Sequence, residues 1–312
     1  MWLPALVLLA GLVVLVWSAD RFVDGAAALA KHLGMSSLMI GMVIIGFGTS
    51  APELMVSAFS AWTGNPGLAL GNAYGSNITN IALVVGVTAL VLPIQSQRSI
   101  ARRELPILLG ITLLAGWQLL DGYLSRLDAA LLLLVFVLLM AYSIWRGSNE
   151  PAEEMADEVN ALPLWRALVD LSLGLALLLI SSRALVWGAV EVAQALGVSE
   201  LIIGLTVVAF GTSLPELASA LAAVRKREHD LAIGNVLGSG LFNTLAVVGI
   251  AAAVHPLTVA TELLHRDWLV MLAVTLLLWA LVWRGLIGRL AGVLLLFIYL
   301  AYIAWVSLPL LA

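Results

Sequence analysis

Two carboxylates, Glu53 and Glu216, stand inside apolar stretches and keep the same company. The stretches read "GFGTSAPEL" (Gly46–Leu54) and "AFGTSLPEL" (Ala209–Leu217). Each glutamate follows a proline, which removes a backbone N–H and crowds the carbonyl four residues back. The pattern predicts an interrupted helix with loosened carbonyls near Gly46 and Thr49, and near Ala209 and Thr212. Hydroxyls of Thr49, Ser50, Thr212 and Ser213 stand beside them. Further on, "GNAYGSNITN" supplies Ser76 and Asn80, and "GNVLGSGLFN" supplies Ser239 and Asn243. A spacing of four puts each such pair on one helix face. Every one of these donors is oxygen, which suits hard cations such as Ca2+ and Na+ rather than Zn2+ or Cu+. There is no cysteine, so thiol chemistry and disulfides are excluded. His32, His229, His255 and His265 lie at the ends of apolar blocks and read as interfacial residues.

The elements that must position this set are membrane helices. The 312 residues are 62% hydrophobic and 11% charged, where a soluble domain carries about a quarter charged residues. The apolar residues come in blocks of about 20, the length that crosses a hydrocarbon core. Ten spans can be drawn, at 2–20, 36–61, 67–93, 105–120, 127–145, 165–188, 199–224, 230–254, 267–283 and 289–310. The N-terminal block lacks the positive n-region of a signal peptide and reads as the first span. The predicted fold class is an all-α membrane protein of ten transmembrane helices.

The spans form two copies of one unit. "LGMSSLMIGMVIIGFGTSAPEL" (Leu33–Leu54) matches "LGVSELIIGLTVVAFGTSLPEL" (Leu196–Leu217) without a gap, and the same offset carries Arg103–Glu104 onto Arg266–Asp267. This sets three regions: a first five-helix repeat over 1–146, an acidic linker over 147–164 and a second repeat over 165–312. The linker lacks the ligand spacing of an EF-hand and reads as a solvated loop. Five is odd, so the second copy enters the membrane from the opposite side. Inverted repeats are characteristic of secondary transporters, whose sites lie near the midplane between the halves. Positive charge sets the orientation. With both termini outside, the inner ends carry Arg21, Lys31, Arg98, Arg102, Arg103, Arg146, Arg166, Arg225, Lys226, Arg227, Arg284 and Arg289. The outer ends keep Arg126, Arg183 and Arg266. Glycines 71, 75, 86, 234, 238 and 249 are expected to permit close helix packing.

A buried carboxylate costs about 2.5–3.5 kcal/mol on insertion scales, and a bound dication would neutralise Glu53 and Glu216 together. A single Ser or Thr in a membrane helix usually bonds its own backbone, and a single Pro often only kinks a helix. The same constellation occurring twice, in pseudo-symmetric positions, favours an ion site.

At these residues the chain resembles the cation/Ca2+ exchanger superfamily, its prokaryotic sodium/calcium exchanger branch above all. The paired G-T-S-x-P-E motifs and the two glycine-asparagine segments look like that family's two α-repeats, and the likeness covers nearly the whole chain. The resemblance implies a core of the second, third, seventh and eighth helices holding four cation sites. Two long tilted helices, the first and sixth, would slide against it. It further implies that Glu53 and Glu216, with the carbonyls of Thr49 and Thr212, bind Ca2+. One Na+ would sit among Ser50, Glu53, Ser76 and the carbonyl of Gly46. A second would sit among Ser213, Glu216, Ser239 and the carbonyl of Ala209, with Asn80 and Asn243 completing the centre. Some members carry Asp where this chain has Asn243, an Asp associated with potassium dependence, so Asn points to a potassium-independent exchanger.

The expectation is therefore an antiporter exchanging Na+ for Ca2+ by alternating access in the cell (inner) membrane. The alternatives are H+ exchange for Ca2+ or another divalent cation, with the two glutamates as proton carriers, and a passive cation channel. No nucleophile–base pair appears among the spans, so no enzyme is expected. Neither a cofactor, nor nucleic acid, nor an obligate protein partner is called for. The partners are the transported Ca2+ and Na+, or H+, and the lipid bilayer.

Overall fold

The computed structural model describes residues 2–64, 66–147, 162–196 and 209–311. Apolar sequence without water leaves backbone groups no partner but their own helix, and the described chain is accordingly helical. The spanning helices are labelled in chain order: α1 (Trp2–Leu33), α2 (Ser37–Trp62), α3 (Gly67–Val91), α4 (Glu104–Gln118) and α5 (Arg126–Gly147) make the first half. The second half holds α6 (Leu164–Ala195), α7 (Leu214–Arg225), α8 (His229–Val254), α9 (Leu263–Trp283) and α10 (Arg289–Leu311). Eight of these are long and apolar enough to cross a membrane. Helix α4 has 15 residues, and the start of the seventh predicted span lies outside the described residues, as does most of the acidic linker.

Helices α3 and α8 are the most buried spans, while α1, α5 and α10 turn most of their surface outward. The core is thus two helices, one from each half, wrapped by the rest. Two short ladders tie the halves at their ends. Strand β1 (Ile94–Gln95) pairs antiparallel with β4 (Leu286–Ile287), and β2 (Tyr123–Leu124) with β3 (Leu257–Thr258). The sequence offset exchanges β1 with β3 and β2 with β4, so one ladder is the pseudo-symmetric image of the other.

The sequence expectation differs from the structure in two places that matter. Helices α1 and α6 each run 32 residues, well past the predicted spans at 2–20 and 165–188. Their length is about 48 Å at 1.5 Å per residue, against a hydrocarbon core of about 30 Å. In α1 the extension was hidden by charges inside the helix, Asp20, Arg21 and Asp24, which find partners: Arg225 at 3.9 Å, Asp170 at 3.8 Å and Lys226 at 2.5 Å. The two long helices lie along each other, and glycines make this possible. Gly25 faces Ala167 and Leu171, Gly174 faces Phe22, Gly11 faces Leu185, and Gly188 faces Leu8 and the Pro4 carbonyl.

The second difference is where the helices break. Pro52 sits inside a continuous α-helical stretch from Gly46 to Trp62, so the interruption expected there is absent. Its counterpart does break: a short turn, Ala209–Thr212, is separated from α7 at Ser213, and Pro215 lies in the first turn of α7. A proline in the first turn costs no hydrogen bond. The first half instead loosens its backbone upstream, in a π-helical stretch at Gly41–Ile45. Similar stretches occupy Thr79–Val84 in α3 and Phe242–Val247 in α8. Such widened turns occur frequently at functional sites.

Close approach of α2 and α8 depends on small residues. A Cβ on Gly238 would collide with the Met42 backbone, and one on Gly46 would come within 3.0 Å of Gly238 and Ser239. Gly71 and Gly75, by contrast, have open space where a side chain would go, so the packing role expected for them is not found. Gly238→Val should force α2 and α8 apart and lower stability by about 1–3 kcal/mol. A thermal midpoint in detergent equal to wild type would contradict that crossing.

Candidate cation site

The sequence-predicted residues of α2, α3, α7 and α8 lie in the interior. Glu53 and Glu216 are 2% and 1% exposed, and Ser50, Ser76, Asn80, Ser213, Ser239 and Asn243 are all buried. The carboxylates act on each other electrostatically, although they come from opposite halves and lie 163 residues apart in the chain. Gly46 reaches the backbone of Ser239, so a residue of one motif contacts a residue of the other half. Thr212 and Ala209 lie in the short turn before α7, on the approach to Ser213 and Glu216.

The polar atoms here lack protein partners to a degree unusual for a buried interior, where nearly all are paired. Ser50 Oγ, Glu53 Oε2, both side-chain atoms of Asn80, both Glu216 oxygens, Ser239 Oγ and both side-chain atoms of Asn243 have no hydrogen-bond partner. Leaving one such group unsatisfied costs about 1–3 kcal/mol. Carboxylate, hydroxyl and amide oxygens that face inward without partners are a donor set fitted to a hard cation. Among the described residues no three His, Cys, Asp or Glu stand together, so the available charge is that of the two glutamates.

Thr49 follows the ordinary rule for membrane helices: its hydroxyl lies 3.1 Å from the Ile45 carbonyl one turn back, and 3.1 Å from Asn235 Oδ1. Its side chain is therefore engaged in packing α2 on α8. The sequence offers both the hydroxyl and the carbonyl of Thr49 as donors; these contacts engage the hydroxyl, which leaves the carbonyl.

Sequence reasoning missed the residues that hold the glutamates in place. Asn72 Nδ2 donates to Ser57 Oγ at 3.0 Å and to the Glu53 carbonyl at 3.4 Å. Asn235 Nδ2 donates to Ser219 Oγ at 3.0 Å and to the Glu216 carbonyl at 3.4 Å. Each asparagine thus clamps the helix turn that carries a carboxylate. The signal was available: Asn72 and Asn235 are repeat mates, spaced four residues before Ser76 and Ser239. Their hydroxyl partners were not available in the same way, because Ser57 and Ser219 occupy positions one residue apart in the two repeats. The long helix α6 also touches a motif, where Ser182 Oγ donates to the Gly211 carbonyl at 3.1 Å.

The chain matches the family profile described as "Sodium/calcium exchanger protein" over residues 3–145 and 167–308. It is 45% identical to the putative antiporter CaxA of Alkalimonas amylolytica, over 97% of this chain and 98% of that one. It is 30% identical to the sodium/calcium exchanger MaX1 of Methanosarcina acetivorans, over 96% and 97%. The fold superposes on the solved sodium-calcium exchanger NCX_Mj with a TM-score of 0.86 at 32% identity, covering 97% of this chain and 99% of that one.

Removing either charge should remove the reason for the cage. Glu53→Gln and Glu216→Gln should each abolish transport of radiolabelled Ca2+ into proteoliposomes. Normal uptake by either variant would rule out the paired-carboxylate site.

Proposed function

Because the chain belongs to the sodium/calcium exchanger family, we propose that it is a Na+/Ca2+ antiporter working by alternating access. The coarser part of this reading is plain: a multi-pass membrane transporter of the cation/Ca2+ exchange type, and not an enzyme. The observation that carries the finer part is the pair of buried glutamates, one from each half, ringed by hydroxyl and amide oxygens without partners.

Charge counting makes the two cargoes exclusive. One Ca2+ neutralises Glu53 and Glu216, and the same carboxylates are needed by Na+ ions at the flanking serines, Ser50 with Ser76 and Ser213 with Ser239. Thr49, Thr212, Gly46 and Ala209 would add backbone carbonyls, and Asn80 and Asn243 neutral amides. With Asn at both central positions no third carboxylate is present, which favours exchange without potassium. Energetics favour three Na+ per Ca2+. Expelling Ca2+ against a 10⁴-fold gradient and 100 mV costs on the order of 10 kcal/mol. One Na+ entering down a tenfold gradient and that potential returns about 3.7 kcal/mol, so two fall short.

The moving parts are supported by the packing. Helices α1 and α6 contact each other along their length through small residues and border both motifs: Gly48 faces Phe22 and Leu175, and Gly211 faces Val186. A sliding pair there would open the site to one side at a time. The orientation that satisfies the positive-inside rule has both termini outside and the linker in the cytoplasm of a cell whose inner membrane holds the protein.

Proton coupling through the glutamates is the competing reading, and it has no use for a hydroxyl cage. Ca2+ uptake into Na+-loaded proteoliposomes should follow an imposed Na+ gradient, and should not follow K+ or H+ gradients imposed separately. Ser50→Ala and Ser213→Ala should each impair that uptake severalfold. Uptake that ignores the Na+ gradient, follows the H+ gradient and tolerates both alanines would instead establish proton exchange.

A further inference from the structure

The proposed ligands are chemically symmetric, Ser50 with Ser213, Glu53 with Glu216, Ser76 with Ser239 and Asn80 with Asn243, but the scaffold behind them is not. Asn77 directly follows Ser76, and Thr244 directly follows Asn243. Asn77 Nδ2 donates to Thr244 Oγ1 at 2.7 Å, and the same nitrogen lies 3.4 Å from Met271 Sδ on α9. All three residues are buried. A hydrogen bond therefore joins α3 of the first half to α8 of the second, one residue away from a proposed ligand on each side. Helix α8 makes room for it: Gly240 has no side chain, and a Cβ there would meet Leu108 at 3.2 Å and Asn77 Oδ1 at 4.0 Å.

The repeat mates cannot make this bond. The offset carries Asn77 onto Gly240 and Thr244 onto Ile81, and neither offers a hydrogen-bonding side chain. Ser76 and Asn243 are thus tied together, while Ser239 and Asn80 are joined by no such link. Moreover, Thr244 lies in the π-helical stretch Phe242–Val247, where the backbone ladder is widened and a side-chain tie has the most to hold.

We infer that Asn77 and Thr244 are positioning residues that make the two halves of the site inequivalent, fixing the Ser76 half for Na+ while leaving the Ser239 half free to adjust. The inference rests on the sodium reading above. Ca2+, held by the glutamates and carbonyls, depends little on the tie. Na+ at Ser76 depends on it, because a single charge draws half as much from the shared Glu53 carboxylate as Ca2+ does and leans more on the placement of the Ser76 hydroxyl.

The test is equilibrium binding of radiolabelled Ca2+ to the purified protein, with and without a fixed, strongly competing Na+ concentration. In wild type, Na+ should weaken Ca2+ binding by a large factor. Thr244→Val and Asn77→Ala should each reduce that factor about fivefold, the worth of one net hydrogen bond. The double variant should be no worse than either alone, and Thr244→Ser, which keeps the hydroxyl, should restore it. Affinity for Ca2+ without Na+ should stay within about twofold, since the proposed Ca2+ ligands are the glutamates and carbonyls, whereas the tie joins Asn77 to Thr244 and Met271. Variants that leave the Na+ factor unchanged, add in the double, or lose Ca2+ affinity in step with it would overturn the inference and spare the sodium reading. A wild-type protein whose bound Ca2+ ignores Na+ would overturn both.

Discussion

Two buried carboxylates, one from each half, act on each other inside this fold. Two like charges at close range in a medium of low dielectric repel strongly, and each already carries the cost of leaving water. Such a pair persists in a functional protein when a cation, or a proton, regularly sits between. The two halves pack closely beside the pair, where α2 and α8 cross with glycine against backbone at Gly46 and Gly238. Asn72 and Asn235 grip the turns that bear the glutamates. Buried oxygens around the pair are left without partners, and a cation that entered would be drawn by both carboxylates.

In an inverted-repeat fold, two-fold symmetry relates the outward- and inward-open forms to each other. The structure keeps that symmetry at the ligands and at the end ladders, β1 with β4 and β2 with β3. It departs from it in the backbone. The first motif runs as an unbroken helix through Pro52, whereas the second breaks at Ser213. Ion pairs join α1 to α7 at one end, through Asp20 with Arg225 and Asp24 with Lys226. Their repeat mates are Arg183 with Trp62 and Trp187 with Thr63, which form no ion pair. Identical chemistry at the centre is thus carried by unequal halves.

Much of this was legible in the sequence. The ten spans, the inverted repeat and the buried oxygen-bearing residues follow from hydropathy, the offset and residue type, because lipid imposes a strong filter on where oxygen can stand. Their assignment as twelve ligands is what the family resemblance implies. What could not be read depended on contacts across the repeats. The tail of α1 was hidden because Asp20, Arg21 and Asp24 look like the end of a span until their partners on other helices are known. The continuous helix at Pro52 was hidden because a proline reads as a break, while the π-helical stretch at Gly41–Ile45 has no residue signature. Ser57 and Ser219 fall one position out of register, so comparing the repeats passes over them. Gly71 and Gly75 lie in a motif rich in glycine yet pack against nothing, since helix-facing glycines cannot be told from others by spacing alone.

The central claim is that Glu53 and Glu216 share one divalent cation. Crystals soaked with Mn2+ or Sr2+, with anomalous diffraction measured, test it without reference to transport. The account predicts a single strong anomalous peak within about 2.0–2.7 Å of carboxylate oxygens from both glutamates, the range of hard-cation coordination. A peak bound to one glutamate alone, or a divalent site elsewhere in the chain with none between the two, would contradict it.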